Sequence, residues 1–150
     1  MRVFLSTSFT NRVDQHTGQI LDEYKTFVGR VLETLRASEG EVFCAVEAED
    51  WKMNSTPPEL TVQQDLQEID AADVLLALVD DQISAGVQFE LGYAVGKGKK
   101  VIIAKPSEHP LAYFNQGAVS SGLIMYVSYD NAAGLLQQLP VVLHAPESEI

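Results

Sequence analysis

Two carboxylates in this sequence stand where a sheet-based fold collects its chemistry. Glu90 lies between Phe89 and Leu91 in Ser84-Ala-Gly-Val-Gln-Phe-Glu-Leu-Gly-Tyr-Ala94, a stretch that follows an apolar run and a short acidic loop and opens a helix. A charge between apolar neighbours at a strand-to-helix junction is where an open α/β sheet places reactive groups. Asp65, in Gln63-Gln64-Asp65-Leu66, falls on the preceding helical segment. Two carboxyls converging on a sugar suit glycosyl transfer. One attacks the anomeric carbon through an oxocarbenium-like transition state, and the other exchanges a proton with the departing group. Taken singly, each also has a plainer explanation. Asp65 would serve as a solvated helical residue, and Glu90 as a carboxylate favoured by the positive end of a helix.

Other chemistries lack their residues. There is no Walker loop, no Gly-x-Gly-x-x-Gly after a strand and no Gly-x-Ser-x-Gly elbow. His16, His109 and His144 are scattered and Cys44 is the single cysteine, so no metal and no cofactor are expected. Cys44, inside Val42-Phe43-Cys44-Ala45-Val46, reads as a small buried hydrophobe; it excludes an intrachain disulfide and suits a reducing cytosol. The net charge of −11, with basic residues clustered only at Lys97-Gly98-Lys99-Lys100, argues against a nucleic-acid polymer as partner. That cluster reads as a helix end. No apolar run reaches about 18 residues, so no membrane span is expected, and the N-terminus lacks the pattern of a signal peptide. A cytoplasmic protein with one domain over residues 1–150 is the expectation.

The elements that must hold these carboxylates follow from periodicity. Strands are expected at Val3 to Leu5, Glu41 to Val46, Asp73 to Val79, Val101 to Ala104 and Leu123 to Val127. Helical spacing runs from Gln19 to the stop at Gly40, then over Glu59 to Ala71, from Ser84 to Gly96, and over Asn131 to Leu139. Ser6 to Gly18, and Glu47 to Pro58 with Trp51, read as polar loops, and Pro106 to Gly122 as irregular with one helical turn. The tail from Ala145 to Ile150 reads as frayed. The run from Asp73 to Val79 is apolar throughout, the mark of a central strand covered on both faces. Alternation of strands and helices implies an α/β fold in three layers. It would hold a doubly wound, flavodoxin-like parallel sheet of five strands in the order 2-1-3-4-5. The long loop after the first strand, the Trp51 loop and Glu90 would then meet at one edge of the sheet.

The joint pattern of Gln64-Asp65-Leu66, Ala72-Asp73-Val74-Leu75, Gly86-Val87-Gln88-Phe89-Glu90-Leu91-Gly92-Tyr93-Ala94 and Gly98-Lys99-Lys100-Val101 resembles the nucleoside 2-deoxyribosyltransferase family. That family includes base-exchange transferases, 2′-deoxynucleoside 5′-monophosphate N-hydrolases and CMP-type N-ribosidases. The resemblance implies a covalent nucleophile at Glu90 and an acid/base group at Asp65. It places Ser84 at a position that is Asp in the transferases and Ser in the monophosphate hydrolases. Ser6-Thr7-Ser8 would line the substrate, with Phe9 and Arg12 in a stretch similar to the nucleoside transferases. Glu49-Asp50-Trp51 is similar to the CMP-type enzymes, where Trp51 and Phe9 would stack on a base. Gly86 belongs to the same set.

A tyrosine near the start of the first strand often orients the nucleophile in this family; Val3 stands there, so that role has no candidate. The resemblance further implies a homodimer or higher homo-oligomer. Asn115 and Ser120, with Ser121, would complete a neighbour's pocket, and Leu111 to Phe114 and Leu139 to Leu143 would supply contact surface. The implied partner is a small nucleoside or nucleotide whose N-glycosidic bond is cleaved by hydrolysis or base exchange. The alternative is a sensor that binds nucleotides on the same fold with little turnover.

Overall fold

Five short β-rich runs, each followed by a helical segment, form a single parallel sheet. A computed structural model describes residues 1–8, 11–81 and 83–147. The strands are β1 (Arg2–Thr7), β2 (Glu41–Cys44), β3 (Val74–Leu78), β4 (Lys100–Pro106) and β5 (Met125–Tyr129), and they lie in the expected order β2-β1-β3-β4-β5. β1 is doubly paired, with Leu5 beside Cys44 on one side and Leu76 on the other, and Ser6 beside Ala77. Every residue of β3 is buried, as a strand covered on both faces requires. The helices are α1 (Asp22–Glu39), α2 (Ala45–Ala48), α3 (Pro58–Ala71), α4 (Ala85–Gly96), α5 (Tyr113–Ser120) and α6 (Ala132–His144). No described helix is long and apolar enough to cross a membrane.

Side chains alternate across a strand, and this divides the core in two. Val3 and Leu5 pack with Val28, Leu32 and Leu35 of α1 and Leu135 and Leu139 of α6. Phe4 packs with Ile69 of α3 and Val87, Leu91 and Ala94 of α4. The parity of β1 therefore points Ser6, two residues after Phe4, at the layer that carries α3 and α4.

Several boundaries differ from the sequence expectation for local reasons. α1 begins at Asp22 because Gln19 and Ile20 are held extended by bridges to Lys52 and Val13. It stops at Gly40, whose φ of 87° suits a residue without a β-carbon. β2 ends at Cys44, not Val46, because α2 follows it directly; Glu47 of α2 is drawn to Arg36 of α1 at 2.5 Å. The segment expected to be irregular contains the two turns of α5. α6 runs through Pro140 to His144, since Leu139 and Leu143 continue the buried stripe of Leu135. The expectation that Leu139 to Leu143 forms contact surface is thus corrected: Leu139 and Leu143 are core, and Val141 is the exposed member. Of the tail expected from Ala145 to Ile150, Ser148 to Ile150 lie outside the described residues.

Candidate active site

Glu90 sits on the second turn of α4, one turn inside an N-terminus capped by Ser84, whose Oγ accepts from Val87 N at 3.2 Å. Asp65 sits on α3, the neighbouring helix of the same layer. Both line one cavity of about 650 Å³ at the carboxyl ends of β1 and β3, the crevice an open doubly wound sheet offers to ligands. Ser6 Oγ, at the end of β1, donates a hydrogen bond to Glu90 Oε2. That bond answers the missing tyrosine: the nucleophile candidate is oriented by a serine expected among the substrate contacts.

Burial pushes the Glu90 carboxyl up to about 7, with the charge of Asp65 adding to the rise and the Ser6 hydrogen bond opposing it. Burial also raises Asp65, to about 6, and the charges of Glu49 and Glu68 add to the effect. Asp65 is 8% exposed and makes no hydrogen bond to a described residue. Its free oxygens are available to something in the cavity. Two carboxyls that hold protons near neutrality, in one cleft, can supply one nucleophile and one acid.

Ser6, Thr7, Asp65, Ser84, Gly86 and Glu90 are brought together around this cavity. Thr7 Oγ1 is buried without a hydrogen-bond partner among the described residues. A β-carbon at Gly86 would meet only Ser84 Oγ, at 4.0 Å, so this wall is open to close approach by a ligand. The remaining candidates lie elsewhere. Ser8 is buried and donates to Asn11 Oδ1 at 2.9 Å. Arg12 is engaged by Asp80, through Nε at 2.8 Å, and by Asp81 at 3.5 Å. Trp51 packs against the α1 side of the core, with Lys25 Nζ 5.4 Å from its ring centre. Asn115 is buried and exchanges hydrogen bonds with Gln88, bracing α5 against α4. Ser120 borders a separate hollow of about 470 Å³ with Tyr113, Phe114 and Leu123. Phe9 lies outside the described residues.

Two features of the cavity were missed in the sequence. Glu49 is a third carboxylate on its wall, and Thr61 Oγ1 donates to Glu49 Oε1 at 2.8 Å. Its signals were its position just past the second strand and its place in Glu49-Asp50-Trp51, where only Trp51 was given a role. The other is the turn from Asp50 to Asn54, where Asp50, Trp51 and Asn54 have φ of 56°, 59° and 61°. Such residues persist only where surrounding contacts fix them. Here Trp51 N bonds Val46 O, Ile20 N bonds Trp51 O and Met53 N bonds Gly18 O, which sets Met53 and Asn54 at the cavity mouth.

The chain is thus a doubly wound α/β fold with a pair of carboxylates lining the crevice at its switch point. The sequence profile of nucleoside 2-deoxyribosyltransferases matches residues 17–143, and the chain belongs to that family. Among curated proteins no sequence match is found. Among solved structures the chain is similar to the CMP N-glycosidase BcmB of Clostridium botulinum, at 22% identity, a TM-score of 0.70, and coverage of 94% of this chain and 99% of that one. BlsM, known from a solution structure, gives 21% identity and a TM-score of 0.74 over 99% of this chain and 97% of its own. A 2-deoxyribosyltransferase from Bacillus psychrosaccharolyticus gives 18% identity and a TM-score of 0.64, covering 91% and 90%. At these identities the structural likeness speaks for the fold.

Proposed function

We infer that the protein cleaves the N-glycosidic bond of a nucleoside or nucleoside 5′-monophosphate, by hydrolysis or by transfer to a second base. Glu90 attacks C1′, forming a C1′–Oε bond as the C1′–N bond breaks. The bonding pair goes to the base nitrogen, which takes a proton from Asp65. Water or an acceptor base then attacks C1′, gives its proton to Asp65 and releases Glu90. The observation that carries this reading is the pair Glu90 and Asp65 in one cavity, both raised towards neutrality. Ser84 keeps its O–H free to donate to the sugar or a phosphate, since its oxygen is the acceptor in the α4 cap. Among the described residues no Lys, Arg or His lines the cavity. The same fold acting only as a sensor would bind nucleotide without releasing base.

The deciding experiment follows free base by chromatography from ribo- and deoxynucleosides, with and without 5′-phosphate and with and without an acceptor base. Wild type is expected to release base and Glu90→Ala to lose at least about 1,000-fold, the scale of removing a group on which the transition state depends. Undiminished release by Glu90→Ala would remove that residue from the mechanism, and tight binding with no release by wild type would favour the sensor. We further propose that the protein works in the cytoplasm as a homo-oligomer, joined through the face bearing Tyr113, Phe114 and Leu123, which are 90%, 80% and 56% exposed. A monomeric mass by light scattering would refute that assembly.

A further inference from the structure

Three carboxylates border the cavity in a row, and the reaction proposed above uses two. The third is placed by a simple relation. Thr61 and Asp65 are four residues apart on α3, so their side chains stack on one face of that helix. Thr61 Oγ1 holds Glu49 Oε1, which sets Glu49 about one helical turn from Asp65. Its Oε2 has no hydrogen bond to a described residue. The backbone behind it is rigid: Glu49 N bonds Ala45 O at 2.9 Å, Lys52 N bonds Glu49 O at 3.3 Å, and Ser55 Oγ bonds Glu49 O at 3.1 Å. Glu49 thus stands one turn from Asp65 on one wall of the cavity, and Glu90 lines the same cavity, with the charge of Asp65 reaching it. Asp65, more than nine-tenths buried and without a hydrogen bond to a described residue, marks the middle of the row as a place where a ligand atom belongs.

A nucleoside laid along that row has its anomeric carbon at Glu90 and its glycosidic nitrogen at Asp65. In a pyrimidine the 4-substituent stands across the ring from that nitrogen, and in a purine the 6-substituent is likewise distal. The free oxygen of Glu49 can only accept a hydrogen bond when ionised. We propose that Glu49 is a specificity-determining residue that accepts a hydrogen bond from the exocyclic amino group of the leaving base, selecting amino-bearing bases over their oxo counterparts. An oxo group at that position would bring lone pairs against a carboxylate with no donor between them. The inference rests on the glycosidic reading for the orientation of the ligand, and its test is built on binding so that the two can fail separately.

The probes are cytidine against uridine and adenosine against inosine, pairs that differ in the amino or oxo group at that position and in the ring protonation that goes with it. Their affinities for the Glu90→Gln protein are measured by calorimetry, and base release from the same four compounds by wild type. The carboxylate should favour the amino member of each pair by about 10- to 100-fold, the worth of a hydrogen bond to a charged group. Glu49→Gln should bring both ratios to within about threefold, because an amide can donate as well as accept. Thr61→Val, which keeps the helix and removes the hydroxyl that fixes Glu49, should lower the ratios part of the way. Circular dichroism confirms that each variant folds. A purely structural Glu49 would weaken both members of a pair alike and leave the ratios unchanged, which overturns the proposal. Equal binding within pairs by the parent protein, or no binding of any of the four either as the nucleoside or as its 5′-monophosphate, overturns it too. Ratios that collapse in Glu49→Gln while wild type releases no base would uphold Glu49 and sink the glycosidic reading instead.

Discussion

Removing the Ser6 hydroxyl should move one limb of the pH–rate profile and leave the other where it is. In the proposed mechanism Glu90 is ionised to attack and Asp65 protonated to assist, yet Glu90 stands at about 7 and Asp65 at about 6. Between those values the pair holds a single proton, and it favours Glu90. The reactive arrangement is then the minority form, about a tenth of the singly protonated pairs for a one-unit gap. Activity should follow a bell with limbs set by the pair. Ser6 donates to the ionised carboxylate and lowers its pKa, so Ser6→Ala raises it. A hydrogen bond to a charged group is worth roughly 1.5–3 kcal/mol, which is about one to two pH units. The basic limb of kcat/KM should shift up to about 8–9, and the maximum should fall about 10- to 100-fold as the reactive form becomes rarer. The acid limb, set by Asp65 with Glu90 still protonated, should stay. The assay is base release from the best nucleoside substrate between pH 5 and 10. A lower rate with an unmoved basic limb would refute the reasoning and leave Ser6 as a substrate contact or a packing residue.

Two further outcomes follow from the same charges and hydrogen bonds. A carboxyl raised by folding stabilises the fold below its unfolded value and gives that stability up as pH rises through its folded value, so ionised Glu90 costs the folded state up to about 3 kcal/mol above pH 7. Glu90→Gln should therefore melt roughly 5–10 °C above wild type at pH 8 and level with it at pH 4; an equal Tm at both would contradict the burial penalty. Lys100 Nζ donates to Val142 O, Leu143 O and Ala145 O at 3.2, 2.7 and 2.6 Å, closing the C-terminal end of α6. Lys100→Met removes the donor to Leu143 O and Ala145 O, while Val142 O keeps its bond from Ala145 N, and should cost about 1–3 kcal/mol in urea unfolding; an unchanged unfolding free energy would contradict this.

What the sequence disclosed, and what it withheld, divides along range. The strand order was legible because each apolar run and each helical stripe is a local pattern, and right-handed crossovers leave few ways to join them. That Asp65 and Glu90 share one cavity was legible because their helices and neighbours carry a recognisable spacing. Glu49 was not, since its place depends on a hydroxyl twelve residues away on another element. Arg12, named for the substrate, is met by Asp80 from 68 residues along the chain, a pairing no local rule contains. Ser6 is the informative case. Read as part of a hydroxyl block with Thr7 and Ser8, it was one of three equivalent contacts. The pleat makes them inequivalent, because residues an even number of positions apart share a face. Ser6 shares its face with Phe4, and Phe4 packs against α4, so a hydroxyl at position 6 must point towards the helix that bears Glu90. Thr7 takes the opposite parity and cannot reach the same oxygen from the same strand. Once the sheet order is accepted, the parity of one strand is enough to name the residue that holds Glu90, the proposed nucleophile, and the shift of a single limb of the pH profile is enough to test it.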